Sequence, residues 1–144
     1  MIVYQALFEP DKEAGGFVVT FPDFGYGATQ GDDLAEAMEM AVDLLRCTIS
    51  DFMEADKDIP KPSHRRGKHY RMVSLPALHS AKIELYRAFR SSGLRKADLA
   101  RKTGIAEANI NRLFDLDHNS RLDQLEIAFR ALGKTLIVEA QDAA

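Results

Sequence analysis

A single cysteine, Cys47, is the only thiol in 144 residues. One thiol closes no intramolecular disulfide, so a packed core must hold the fold, and the expected compartment is the reducing cytoplasm. Long apolar runs are missing as well. Nothing approaches the ~18–20 apolar residues that cross a bilayer, and the opening MIVYQALFEP has no basic stretch leading into an apolar one. Neither an export signal nor a membrane partner is expected. The four histidines, His64, His69, His79 and His118, are scattered without ligand spacing, and Gly15-Gly16 leads into neither GxGxxG nor GK[ST]. Metal sites and cofactors are therefore not expected either. There is no internal repeat and no low-complexity tract.

Net charge is also small, at −3, which by itself argues against a polyanion partner. Its distribution reverses that argument. Residues 1–60 hold three basic side chains against thirteen acidic ones, a net of −10, whereas residues 61–144 hold sixteen against nine, a net of +7. A basic half suits a polyanion and an acidic half suits a basic protein. With 46% apolar and 28% charged residues, the chain reads as an ordinary globular protein, of a length that fits one domain or two small ones.

The first half alternates between strand and turn signals. IVYQALF (2–8) and FVVTF (17–21) are rich in β-branched and aromatic residues and flank a turn-forming EPDKEAGG, which predicts a hairpin. A third strand is predicted over 26–30, followed by Asp32 as a helix N-cap. From Asp33 to about Ala55, Leu34, Ala37, Met38, Ala41, Leu44, Leu45, Thr48 and Phe52 recur at three- and four-residue steps, the signature of one long amphipathic helix. Residues 56–68, with Pro60, Pro62 and Gly67, read as a loop, and HYRMVSL (69–75) as a fourth strand. Pro76 fits the first turn of a further helix reaching Ser92, where Gly93 stops it. The fold class is thus α+β: an N-terminal β-β-β-α-β domain over 1–75 and an all-α C-terminal domain over 76–144.

The C-terminal domain carries a helix-turn-helix pattern. Leu99 and Ala100 face inward on a helix over 96–102, Gly104 makes the turn and Ile105 packs beneath it. A second helix from Ala106 to about Asp115 buries Ile110 and Leu113, and a third over 122–132 ends at Gly133. The second helix turns Glu107, Ala108, Asn109, Asn111 and Arg112 outward. Asn can bond adenine bidentately, Arg guanine or phosphate, and Glu the cytosine amino group, so this face can read a major groove. Arg95, Lys96, Asn119 and Arg121 suit phosphates. Across about forty residues, the Leu-Ala, Gly-Ile, Ile-x-x-Leu and Leu-x-x-Ala-x-x-Leu-Gly spacing resembles the Xre/Cro-like helix-turn-helix family. Ala106 stands where that family has a capping Ser or Thr.

The combination is more specific. GGFVVTFPDFGYGATQGDDLAEAMEMA (15–41) ahead of Xre-like helices resembles the HicB antitoxins of bacterial HicAB toxin–antitoxin systems, on Gly16, Phe21-Pro22-Asp23, Thr29-Gln30-Gly31-Asp32 and Ala35-Glu36-Ala37. The resemblance implies a partial RNase H-like fold for the N-terminal domain, a HicA-type mRNA interferase toxin as its protein partner, and operator DNA as the partner of a repressor. Asp11, Glu13, Asp23, Asp32 and Asp33 are the candidate toxin-binding acids, since they lie near strand ends where they can compete with RNA phosphates. No catalytic residues are expected. A two-metal nuclease needs converging carboxylates, and Glu9, Asp11, Asp23 and Asp43 fall in turns or on an exposed helix face. A homodimer or higher oligomer is expected, because helix-turn-helix readers engage paired half-sites. The tail TLIVEA (135–140) reads as a strand that pairs with its copy or completes its own core. The rival reading is a stand-alone transcription regulator whose N-terminal domain senses a small molecule.

Overall fold

Every second side chain along Val3–Pro10 (β1) is apolar, and in the computed structural model, which describes residues 1–143, Tyr4, Ala6 and Phe8 are all buried. Phe17–Thr20 (β2) pairs antiparallel with β1, setting Val19 opposite Phe8. Thr29–Gly31 (β3) pairs with β2, and Tyr70–Ser74 (β4) with the far side of β1, setting Val73 opposite Tyr4. The sheet order is β3-β2-β1-β4. One face is covered by α1 (Leu34–Glu54), whose buried stripe is Ala37, Ala41, Leu45, Thr48, Ile49 and Met53. Two alanines at the start of that stripe let the helix lie close to the sheet. Gly31 completes the approach: a Cβ there would lie 2.3 Å from the Ala37 nitrogen, so no other residue fits.

Three local expectations are corrected. The third strand is only Thr29–Gly31 rather than 26–30, because Gly25 and Gly27 both adopt positive φ, which extended pairing does not accommodate. The N-cap of α1 is Asp33 rather than Asp32. Its carboxylate accepts the Glu36 N–H at 2.8 Å, and the Glu36 carboxylate accepts the Asp32 N–H at 2.6 Å. Finally, Leu34, Met38, Leu44 and Phe52 are only half-buried, whereas Ile49 and Met53 are in the core.

Residues 57–66 carry neither helix nor strand, as expected, yet they are anchored. The Tyr4 hydroxyl donates to the Pro60 carbonyl. The Gln5 amide donates to the Arg65 carbonyl at 3.2 Å and accepts the Arg65 N–H at 2.5 Å. Ile59 is buried, and Ser63 donates its N–H to Asp23 at 3.0 Å. Tyr4 and Gln5 are consecutive in a strand and point to opposite faces, so this strap is held from both sides of the sheet.

The chain divides into two compact units, Met1–Ser80 and the residues from Ala81 onward. Helix α2 (Ala77–Ser92) begins in the first and continues into the second, which also contains α3 (Lys96–Thr103), α4 (Glu107–Leu113) and α5 (Leu122–Ala131). The second unit buries Ile83, Leu99, Ile110, Leu113, Leu125, Ala128 and Phe129, and packs Phe114 edge-on against Tyr86 and tilted against Phe89. Helix α4 stops at Leu113, two residues short of the expected Asp115. Residues 135–140 form no strand, and Ile137 and Val138 are 79% and 74% exposed, so the tail does not complete its own core.

Candidate functional site

In the second unit the α3–α4 turn is built from local chemistry. Gly104 takes the left-handed conformation at φ 72°, and the Thr103 hydroxyl donates to the Leu99 carbonyl at 2.7 Å while accepting the Ile105 N–H at 3.2 Å. Ile110 and Leu113 face inward, which leaves Glu107, Ala108, Asn111 and Arg112 exposed on α4. Asn109 is half-buried, and its side-chain oxygen accepts from the Arg112 guanidinium at 3.1 Å, so the two act as one hydrogen-bonding group. Ala106 provides no side-chain cap, as its identity dictates.

The candidate phosphate contacts are more dispersed. Arg95 and Lys96 open α3. The Arg95 N–H is held by the Asp98 carboxylate at 2.9 Å, and this bond, together with the Arg101 and Arg95 guanidiniums, holds the Asp98 pKa below its ordinary value. Lys96 lies over the Phe114 ring at 5.6 Å, beside the end of α4. Asn119 is exposed in the segment after α4, and Arg121 pairs with Asp123 at 3.1 Å.

A residue that the sequence reading missed lies behind α4. Lys82 is fully buried, and its ammonium donates to three main-chain carbonyls, those of Arg112 at 3.0 Å, Asp115 at 2.6 Å and His118 at 2.5 Å. Each of these carbonyls also accepts a main-chain N–H, from Asp115, His118 and Ser120 in turn, so the side-chain cation adds a second donor to each and complements the negative end of the helix. Burial pushes the Lys82 pKa down, opposed by the charges of Asp115 and Asp117. The available signal was its position: Lys82 interrupts the apolar stripe Leu78, Leu85, Phe89 at helical spacing.

In the first unit, the five candidate acids have different fates. Asp11 folds back to accept the Glu13 and Ala14 N–H groups at 3.0 Å each, with Glu13 exposed beside it in the hairpin loop. Asp32 and Asp33 are exposed at the start of α1. Asp23 is different. Its side chain is only 7% exposed and accepts both the N–H and the hydroxyl of Ser63, with Arg65 at 3.9 Å, so it serves the strap and not an open surface. The densest exposed carboxylates lie elsewhere, on the outward side of α1, where Glu36, Glu39 and Asp43 flank Met40, 40% exposed, and Glu54 lies about four turns further along the helix. Next to this side, Tyr26 stacks on Phe52 and donates to Asp51 at 3.3 Å; burial and then that carboxylate raise its pKa.

The units also redraw the charge split. Met1–Ser80 holds eight basic and thirteen acidic side chains, a net of −5, because the strap, the turn after it and β4 bring Lys61, Arg65, Arg66, Lys68 and Arg71 into it. The remainder holds eleven against nine, a net of +2. Among the described residues, no three His, Cys, Asp or Glu side chains gather to hold a metal, and no helix is long and apolar enough to cross a membrane.

Comparison with known proteins adds an independent line. Residues 3–84 match a family model described as the HicB-like antitoxin of bacterial toxin–antitoxin systems. Antitoxin HicB of Escherichia coli (strain K12) is 36% identical over 133 residues, covering 92% of this chain and 95% of that protein. Antitoxin HicB 1 of Photorhabdus laumondii is 33% identical over 138 residues, covering 96% and 86%. Among solved structures, a toxin–antitoxin complex from Streptococcus pneumoniae is similar at 24% identity with a TM-score of 0.46, covering 75% of this chain and 92% of that one.

Proposed function

The chain belongs to the HicB-like antitoxin family of bacterial toxin–antitoxin systems, and from that premise we propose that it neutralises a HicA-type mRNA interferase with its first unit and represses its own operon with its second. The role is regulatory rather than catalytic. The observation that carries the reading is the extent of the family match, which begins at residue 3 and spans nearly the whole of Met1–Ser80.

A protein that grips RNA needs a cationic surface for phosphates, and an acidic face competes for that surface. On this reading the toxin meets Glu13, Asp32 and Asp33 together with the carboxylates along α1, and Asp11 shapes the hairpin loop beside them. Exposed apolar groups such as Met40 and Tyr26 supply desolvated contact beside these carboxylates. In the second unit, α3 and α4 form the helix-turn-helix. Glu107, Ala108, Asn109, Asn111 and Arg112 face base edges, while Arg95, Lys96, Asn119 and Arg121 approach phosphates. The protein acts as a homodimer, in which Thr135–Ala140 pairs with its copy and buries Ile137 and Val138.

Co-expression with a HicA-type toxin tests the first half. The expected result is a complex that co-purifies and abolishes RNA cleavage in vitro, and RNA cleavage that continues at saturating antitoxin refutes it. For the second half, binding to DNA upstream of its own gene should weaken steeply with salt, and binding that ignores salt or sequence counts against repression.

A further inference from the structure

Arg112 is held from two directions. Its guanidinium, on the exposed side of α4, bonds Asn109 at 3.1 Å, and its carbonyl, on the inner side, accepts from the fully buried ammonium of Lys82 at 3.0 Å. The same ammonium also binds the carbonyls of Asp115 and His118, so its three N–H donors are matched by three acceptors that follow one another along the chain as it leaves α4. The Ser120 hydroxyl adds a weaker bond to the Arg112 carbonyl at 3.4 Å and lies 3.1 Å from the His118 ring nitrogen.

We infer that Lys82 is a positioning residue for operator reading: it fixes the C-terminal end of α4, and so the base-facing side chain of Arg112, without touching DNA. This rests on the proposal that α4 is the reading helix. Three observations favour positioning over simple stability. A cation taken fully out of water is an expensive way to fill a core position, and an apolar residue of the same length would fill it more cheaply if packing were all that was needed. Helix α4 is only seven residues long and has no side-chain cap at Ala106, so its orientation is poorly defined from its own N-terminus. The chain also leaves α4 without a glycine C-cap: Phe114 occupies that position at φ −98°, and Lys82 adds a second donor to carbonyls whose main-chain partners are N–H groups two or three residues further on, tying the segment that leaves α4 to α2.

Four full-length proteins test this: the unaltered chain, Lys82→Met, Arg112→Ala and the double variant. Each is titrated by fluorescence anisotropy against a duplex from upstream of its own gene and against a scrambled duplex of equal length. Lys82→Met should lower affinity for the upstream duplex about tenfold, the scale of losing one bidentate base contact. Affinity for the scrambled duplex and the salt slope should stay unchanged, because the phosphate contacts remain. The double variant should bind no worse than Arg112→Ala alone, since Lys82 acts through Arg112. A residue with a merely structural role would instead weaken both duplexes alike and add to the Arg112→Ala loss.

Upstream binding by Lys82→Met equal to the unaltered chain, or additive losses in the double variant, overturns the inference. Should Lys82→Met lose its helical circular dichroism, the same series is run on Lys82→Gln, which keeps an N–H donor. Unfolding of both variants also overturns it, because Lys82 would then be a stability residue. Failure of the unaltered chain to prefer the upstream duplex is a separate outcome: it refutes the DNA-reading proposal itself.

Discussion

Replacing Asp23 by alanine removes the acceptor of two hydrogen bonds from Ser63 and the anion 3.9 Å from Arg65. Hydrogen bonds to a charged group are each worth about 1.5–3 kcal/mol net. The low end for two such bonds is about 3 kcal/mol; Ser63 is exposed and can give its donors to water, so we take less than that, about 2 kcal/mol in total. The loss should be local, because the Tyr4 and Gln5 anchors and buried Ile59 remain. A change of 2 kcal/mol multiplies the open population of the strap by about 30. The strap contains Lys61, Arg65 and Arg66, so limited trypsin digestion reads that population directly, with cleavage after Arg65 and Arg66 accelerating by about that factor while cleavage at α1 Arg46 stays slow. Toxin association should show unchanged salt dependence, since the carboxylate is buried. An unchanged trypsin rate in Asp23→Ala refutes the anchoring role, and a toxin on-rate that falls with it restores Asp23 as a surface acid.

Gly31→Ala puts a Cβ within 2.3–2.8 Å of three backbone atoms of α1 and should cost about 2–3 kcal/mol, read as a fall of roughly 10 °C or more in the melting of the first unit. Ala106→Ser supplies the missing cap of α4 and should stabilise the second unit by about 1 kcal/mol, measured by urea unfolding. The depressed pKa of Asp98 means that its stabilising effect is complete above its ordinary value of 3.8 and is lost as pH falls through the folded value below that. The stability difference between the unaltered chain and Asp98→Asn should therefore be constant from neutral pH to about 5 and shrink on further acidification; a difference that already vanishes at pH 6 contradicts the assignment.

The parts of the fold that were readable from residue order are those whose cause lies within a few residues. The three- and four-residue recurrence from Ala37 to Thr48 marked α1, the alternation of Tyr4, Ala6 and Phe8 marked β1, and Leu99, Ile110 and Leu113 marked the inner faces of α3 and α4. The shift of the cap from Asp32 to Asp33 turns on which of two adjacent carboxylates reaches the Glu36 N–H, a distinction that spacing does not make. What was missed depends on contacts across long separations. Tyr4 meets Pro60, Gln5 meets Arg65 and Asp23 meets Ser63, so a segment that reads only as a loop is in fact a fixture, and an acid that reads as exposed is buried. Lys82 shows the same limit, because its acceptors lie 30 to 36 residues ahead and no local pattern announces a buried cation.

Anchoring the strap also has an electrostatic consequence for the encounter with a partner. It adds four cations to a unit whose anions are concentrated on α1 and in the hairpin and cap loops, and β4 contributes a fifth. Such a unit behaves at a distance less like a uniform anion than like a charged body with an uneven field, which exerts torque as well as attraction on an approaching cationic protein. The strap would then influence which way round two molecules arrive, so that neutralising its lysines and arginines should strengthen long-range attraction while lowering the fraction of encounters that become productive.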